Sequence, residues 1–134
     1  MSIKRVDTLD FRPVVAVVGG GASGTLLAAQ LLRSGGARVV LIERGDRIGR
    51  GVAYGTGFRG HLLNVPAAGM SGLPGDHGHF LRFARAHWDA AVEPTSFVPR
   101  MIYGGYLEAL LAESEQIGRP GDLLRRRGEV VDIA

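Results

Sequence analysis

Three glycines with the spacing of a phosphate-binding turn lie in the segment VVAVVGGGASGTLLAAQLL, between an apolar run and a stretch rich in alanine and leucine. Gly19, Gly21 and Gly24 fit the pattern G-x-G-x-x-G between a strand and a helix. We expect Gly19 to permit the tight turn, Gly21 to let a pyrophosphate approach the backbone, and Gly24 to let the helix lie close to the strand. The helix start offers unpaired N–H groups and about half a unit of positive charge, which predicts an anion site.

An acidic side chain follows the next apolar run, about twenty residues after the glycines, where such motifs place a ribose ligand. Glu43 directly follows RVVLI, so its carboxylate is expected at the end of a second strand. It could accept hydrogen bonds from ribose hydroxyls, and it would repel a 2′-phosphate, which disfavours NADP at this first site. The alternative is a solvated charge paired with Arg44 or Arg47. In this strand, turn and helix context, we favour ribose binding.

The elements that must position these groups alternate along the chain. Val14 to Val18 is predicted to be a strand buried on both faces, as in a parallel sheet. A helix over 23–33 and a second buried strand over 38–42 complete a βαβ unit. Residues 44–75 are rich in glycine and lack periodicity, so they predict loops with a short extended piece at 61–65.

Two helices and a terminal strand are predicted in the second half of the chain. Apolar spacing indicates a helix over 76–88 and another over 103–116. The final segment GEVVDIA, residues 128–134, is predicted to be a strand. The arginine run 125–127 is interpreted as a solvated turn rather than a nucleic-acid patch.

Composition limits the classes of protein and chemistry. A chain of 134 residues with 46% hydrophobic content and a net charge of +3 is at most one domain, here residues 13–134 after an N-terminal extension of 1–12. Its basic residues are scattered, so we expect no nucleic-acid partner, and no apolar stretch is long enough to span a membrane. A cytoplasmic location is the default expectation. The absence of cysteine excludes thiolate chemistry, so any redox chemistry must come from a borrowed cofactor.

The segment that distinguishes NAD from FAD is ERGDRIGRG, residues 43–51. A simple NAD domain usually passes from its acidic residue straight into the next element, whereas here a glycine-bearing loop with Arg47 and Arg50 follows. Such a loop can fold back over a longer cofactor and cover its pyrophosphate or flavin. The segment therefore favours FAD.

At this loop the sequence resembles the FAD-binding half of flavoproteins with two dinucleotide-binding domains. More narrowly, it is similar to the FAD/NAD(P)-binding domain family that includes FAD-dependent urate hydroxylases and aspartate N-hydroxylating monooxygenases. The resemblance covers most of the chain from Val14 onward, in the segments VAVVGGGASG, LIERGDRIGRGVAYGT, HLLNVPAAGMS, FVPRMIYGGYLEALL and GEVVDI. It implies an α/β, Rossmann-like fold with a parallel sheet and flanking helices, of which this chain would hold only the N-terminal part.

The resemblance also implies roles for matched residues. The pyrophosphate would be held by the glycine turn and the residues that open its helix, namely Gly19, Gly21, Ala22, Ser23 and Gly24. Glu43 would hold the adenosine ribose, and Arg44 and Gly51 would line the adenine and pyrophosphate loop.

Three further positions have two readings each. Arg100 either reaches the cofactor from the opposite side or is a surface charge that flanks a helix. Val130 either contacts adenine through its backbone or packs in the core. Asn64 either lies near the flavin ring or caps a turn before Pro66.

Neither a metal site nor a catalytic residue is predicted. The four histidines lack metal-ligand spacing, and His77 and His79 are assigned to a loop or a helix start rather than to a metal. Ser23 belongs to the phosphate turn and has no marked base beside it.

The resemblance implies an FAD-dependent, monooxygenase-like oxidoreductase with NAD(P)H as electron donor and a small-molecule substrate of unknown identity. Two alternatives stay open, a non-catalytic module that binds adenine dinucleotides and an NAD-only dehydrogenase domain. An exposed sheet edge at the carboxyl end would allow a homodimer.

Overall fold

A three-stranded parallel sheet organises the protein. The structure, a computed structural model, describes residues 9–134, so residues 1–8 of the predicted extension 1–12 lie outside the described residues. The strands are β1 (Val14–Val18), β2 (Arg38–Glu43) and β3 (Leu123–Arg127), in the order β1-β2-β3. Both neighbouring pairs are parallel, with β2 in the centre. With its flanking helices, the sheet confirms the predicted α/β, Rossmann-like fold class.

Within residues 9–134 there are four helices, of which the first and the last pack against the sheet. They are α1 (Ala22–Ser34), α2 (Gly51–Tyr54), α3 (His79–His87) and α4 (Arg100–Ile117), and a 3-10 turn spans Ala67–Gly69. The three predicted helices correspond to α1, α3 and α4, although α3 begins three residues later and α4 three residues earlier than predicted. None of the helices within residues 9–134 combines the length and apolar character needed to cross a bilayer.

The first helix ends where the sequence predicts. Gly35 adopts a left-handed conformation with φ of 67°, and its N–H donates to the carbonyl oxygens of Leu31 and Leu32. A glycine is favoured at this position because a side chain would strain a positive φ. The reversal turns the chain directly into β2, which completes the predicted βαβ unit.

The core has two parts. On one face of the sheet, strand side chains pack against α1 and against Leu111 of α4, in a cluster of Val17, Ala28, Leu32, Val39, Leu41, Leu111 and Leu123. A second cluster lies between α4, α3 and the loop that precedes each of them, with Phe80 and Tyr106 as its largest fully buried members. Helix α4 contributes to both clusters and therefore joins the sheet to the glycine-rich loops.

The prediction that β1 is buried on both faces is wrong. Val17 is buried at 5% exposure, whereas Val14 and Val18 are 53% and 57% exposed. Alternate residues of a strand point to opposite faces, and within residues 9–134 the helices cover only the face that carries Val17. A continuous β-branched run therefore indicated the strand correctly but not how many of its faces are covered.

The last strand is not where the sequence analysis put it. Residues 128–134 form no strand, and the arginine run 125–127, interpreted as a turn, belongs to β3. Only Leu123 of this edge strand is buried, and its arginines extend into solvent. The pattern misled because an edge strand needs few buried side chains; its stability comes from the hydrogen bonds to β2.

Residues 44–75 are largely irregular, as predicted, apart from α2 and the 3-10 turn. The extended piece expected at 61–65 is reduced to a single antiparallel bridge between Leu62 and Pro99.

Candidate functional site

A cavity of about 610 Å³ lies where the three parallel strands end. It is bordered by residues that directly follow or close each strand, including Gly19 after β1, Glu43 at the end of β2, and Gly128 after β3. The carboxyl ends of strands in open α/β sheets are the usual place for ligands. This position makes the cavity the candidate functional site.

The glycine turn has the geometry predicted for two of its three glycines. Gly19 has a φ of +92°, a left-handed value that the tight turn requires. A Cβ atom on Gly24 would lie 1.8 Å from the carbonyl oxygen of Gly19, so only glycine lets α1 approach the turn so closely. Both structural roles are confirmed.

A fourth glycine of the turn, Gly20, was missed by the sequence analysis. The N–H of Gly20 donates to Oε2 of Glu43 at 2.6 Å. A Cβ atom on Gly20 would lie 3.1 Å from both Cβ and Oε2 of that glutamate. The run of three glycines was the available signal, because within it the pattern requires glycine at residues 19 and 21 but not at residue 20.

The loop after β2 packs directly on the turn. Gly49 donates its N–H to the carbonyl oxygen of Gly20 at 2.6 Å. A Cβ atom on Gly21 would lie 3.7 Å from Cα of Gly51, an ordinary contact distance. The group that approaches Gly21 in this structure is therefore the backbone of Gly51. The predicted contact of Gly21 with a pyrophosphate stays a prediction. The loop therefore folds back on the turn itself, and its predicted position over a cofactor stays a prediction.

The Glu43 carboxylate is fixed by the backbone. Oε1 accepts from the N–H of Gly45 at 2.7 Å, while Oε2 accepts from Gly20. The bond from Gly45 and the bond from Gly20 lower the pKa of Glu43, against the opposing effect of partial burial. The side chain is therefore an oriented, ionised acceptor at the cavity wall, and each oxygen retains a lone pair for a further donor.

The amino end of α1 carries backbone donors. Gly21 is its N-cap and supplies no side chain, and the first turn contains no acidic residue. The N–H groups of Ala22, Ser23 and Gly24 therefore have no intrahelical acceptor. These groups lie beside the turn rather than in the lining of the cavity itself.

Arg44 and Val130 line the cavity together with Gly19, Glu43 and Gly51. Arg44 is exposed at the rim, where it forms an ion pair with Glu129 at 3.5 Å. Val130 is half-buried and belongs to the irregular segment after β3. The structure therefore brings five of the predicted site residues together.

Asn64 and Arg100 lie outside this lining. Asn64 is exposed beside the 3-10 turn, and Arg100 uses its Nε to donate to the carbonyl oxygen of Leu62 at 3.0 Å. Their predicted cofactor contacts therefore stay predictions.

The histidine at the start of α3 contacts a buried tyrosine. Nδ1 of His79 lies 2.8 Å from the hydroxyl of Tyr106, which also accepts from the N–H of Gly72. Burial raises the pKa of Tyr106 above its usual value.

Within residues 9–134, no three His, Asp or Glu side chains are grouped to hold a metal ion.

The cavity suits an adenine dinucleotide. A strand-end carboxylate provides acceptors for ribose hydroxyls, and an uncapped helix start provides donors for a diphosphate. The carboxylate lines a cavity that is open to solvent and partly apolar, as a bound nucleotide needs. The fold and this arrangement define a Rossmann-like dinucleotide-binding domain.

Comparison with known proteins agrees with that class. A model of the FAD-NAD(P)-binding family matches residues 16–134. The chain belongs to this family.

Among solved structures, the chain is similar to THI4 from Thermovibrio ammonificans, with 22% sequence identity and a TM-score of 0.48. The match covers 86% of this chain and 38% of that one. The chain thus spans well under half the length of that protein.

Proposed function

We propose that this chain is the FAD-binding domain of an oxidoreductase of the monooxygenase-like type, with NADH or NADPH as electron donor. The observation that carries the proposal is the contact between the loop after β2 and the glycine turn, with Gly49 bonded to Gly20 and Gly51 beside Gly21. A loop that folds back on the turn in this way suits a cofactor longer than NAD. The family match supports a dinucleotide cofactor, and the sequence resemblance favours FAD among them.

In this proposal each residue of the site binds a different part of the cofactor. The ionised carboxylate of Glu43 accepts from the adenosine ribose, and the N–H groups at the start of α1 donate to the diphosphate. Arg44 and Val130 border the adenine, with Gly51 beside the diphosphate.

A flavin held by these residues would supply the redox chemistry, namely hydride acceptance from a nicotinamide and electron transfer to oxygen. The contribution of this chain is to bind and orient the cofactor. Its Glu43 carboxylate also makes a 2′-phosphate unfavourable at the adenosine end, which fits FAD.

The test is the identity of the cofactor bound to the purified chain. We expect a yellow protein whose cofactor, released by heat, has the mass of FAD rather than FMN. A colourless protein that also fails to bind added FAD would contradict the proposal. Calorimetric titration with NAD alongside FAD separates the alternatives, since binding of NAD alone would indicate an NAD-only domain.

A further inference from the structure

The segment 47–51, which lies on the glycine turn, is attached on its other side to helix α4. Nε of Arg50 donates to Oε1 of Glu108 at 2.9 Å, and its Nη1 donates to the carbonyl oxygen of Met101 at 3.4 Å. Arg47 forms a second ion pair with the same glutamate at 3.1 Å. Glu108 therefore holds both arginines of the segment.

Helix α4 has a glycine, Gly104, at the point where Arg50 packs against it. A Cβ atom on Gly104 would lie 3.1 Å from Cγ of Arg50 and 2.9 Å from the carbonyl oxygen of Tyr54. Glycine inside a helix costs about 1 kcal/mol relative to alanine. Its presence in the middle of α4 is explained by the space that Arg50 and the end of α2 require.

The backbone of the segment is confined between two elements. Gly49 has a φ of +94°, and a Cβ atom there would lie 3.1 Å from the backbone nitrogen of Glu108. Its N–H reaches the glycine turn, and Gly51, with a φ of +54°, faces Gly21. Segment 47–51 therefore contacts the glycine turn on one side and α4 on the other.

The pair between Arg50 and Glu108 is partly shielded from solvent, which favours a defined geometry. The Arg50 side chain is 17% exposed and that of Glu108 is 34% exposed, whereas both side chains are more exposed in another ion pair of α4, between Glu115 and Arg125. Because the Arg50 guanidinium contacts the Glu108 carboxylate through Nε and the Met101 carbonyl through Nη1, its orientation is fixed at two points.

We propose that Arg50 and Glu108 are positioning residues for dinucleotide binding. Their ion pair holds segment 47–51 on the glycine turn before the ligand arrives, and so increases affinity by reducing the ordering that binding requires. This inference rests on the proposed function, because it names what keeps that same site in its binding geometry.

The test compares Glu108→Gln with Glu115→Gln, a matched change on the same helix. Two readouts are used on the full chain, the dissociation constant for ADP by calorimetry and the amide hydrogen exchange of Gly49 without ligand. We expect Glu108→Gln to weaken ADP binding about three- to tenfold and to accelerate exchange at Gly49, while Val39 in the central strand is unchanged. Glu115→Gln should leave both readouts at wild-type values.

A double variant sharpens the test. Arg50→Met combined with Glu108→Gln should bind ADP no more weakly than the weaker single variant, because both changes break the ion pair between Arg50 and Glu108, and Glu108→Gln alone already removes the pair with Arg47. If Glu108→Gln proves too unstable to study, Arg50→Lys retains the charge but lacks the two separate nitrogens that contact Glu108 and Met101, and it should give an intermediate loss.

Several results would overturn the inference while the proposed function stands. These are unchanged ADP affinity in Glu108→Gln, additive losses in the double variant, or accelerated exchange at Val39 as well as Gly49, which would indicate general destabilisation. Failure of the wild-type chain to bind either ADP or FAD would instead contradict the proposed function.

Discussion

The two ends of the parallel sheet are held in different ways. At the amino end, Arg12 donates to both oxygens of Asp122 at 2.7 Å and also bonds Asp10 and the carbonyl oxygen of Gly35. At the carboxyl end, the Glu43 carboxylate accepts from the backbone N–H groups of Gly20 and Gly45, and within residues 9–134 no side chain donates to it. The amino end is thus closed by ion pairs between side chains. The carboxyl end is open, with the oriented Glu43 carboxylate at the wall of a cavity.

The pKa shifts reflect the same difference. Hydrogen bonds from Arg12 lower the pKa of Asp10 and of Asp122, and those carboxylates raise the pKa of the arginine in return. Backbone donors lower the pKa of Glu43. Both ends therefore keep their acids ionised, but only at the amino end is the charge matched by a partner cation. A carboxylate held by backbone donors stays available to a ligand, whereas one held in an arginine fork does not.

The largest expected effect comes from the turn that forms the carboxyl end. Gly24→Ala would place a Cβ atom 1.8 Å from the carbonyl oxygen of Gly19, so α1 must move away from β1. We expect a loss of about 3 kcal/mol in the free energy of unfolding, measured by urea denaturation. Gly57→Ala is the control, since a Cβ atom there meets nothing within 4 Å. Equal stability of the two variants would show that the close approach is not needed.

The next largest effect is a loss of thermal stability when the ion pairs at the amino end of the sheet are broken. Arg12→Met should leave the Asp122 carboxylate, only 3% exposed, without its partner and lower the melting temperature by about 10 °C. FAD affinity of the folded variant should be unchanged, because the cavity lies at the other end of the strands. Arg82→Met removes the exposed pair with Asp76 and should change the melting temperature little. A loss of FAD affinity in Arg12→Met would break the distinction between the two ends.

Removing the oriented charge at the open end should affect binding more than stability. Glu43→Ala is expected to weaken FAD binding by about 1.5 to 3 kcal/mol, the usual contribution of hydrogen bonds to a charged group. Calorimetric titration measures the change. Glu93→Ala, an exposed change outside the cavity lining, serves as the matched control. Unchanged affinity in Glu43→Ala would mean that the ribose is bound elsewhere.

The smallest effect is a pH dependence. The folded-state pKa of Glu43 lies below its usual value of 4.5, so its stabilising contribution is complete above that value and is lost as the pH falls through the folded pKa. The difference in urea midpoint between wild type and Glu43→Gln should be constant from about pH 6 to 8 and shrink below about pH 4.5. A difference that grows in acid would show that the pKa is raised.

Sequence reasoning was most reliable where one residue determines the backbone. The positive φ of Gly19, the close approach at Gly24 and the helix end at Gly35 all follow from local geometry that only glycine satisfies, so spacing was enough to predict them. The position of Glu43 at the strand end followed from the apolar run before it.

The errors and omissions arose where the outcome depends on distant parts of the chain. The arginine run 125–127 is a strand because β2 offers it an unpaired edge, and nothing in its composition indicates that. The exposure of Val14 and Val18 depends on which face the helices cover. The attachment of Arg50 to Glu108 joins residues far apart in sequence, and only the two glycines inside α4 hinted at a close contact there.

The most direct test of the account is the location of ligand binding on the sheet. Backbone amide chemical shifts should be recorded while ADP is added to the wild-type chain. The account predicts the largest changes at Gly20, Gly45 and Gly51, with Arg12 and Asp122 unaffected. Changes concentrated at Arg12 and Asp122, or none at the three glycines under saturating ADP, would contradict it.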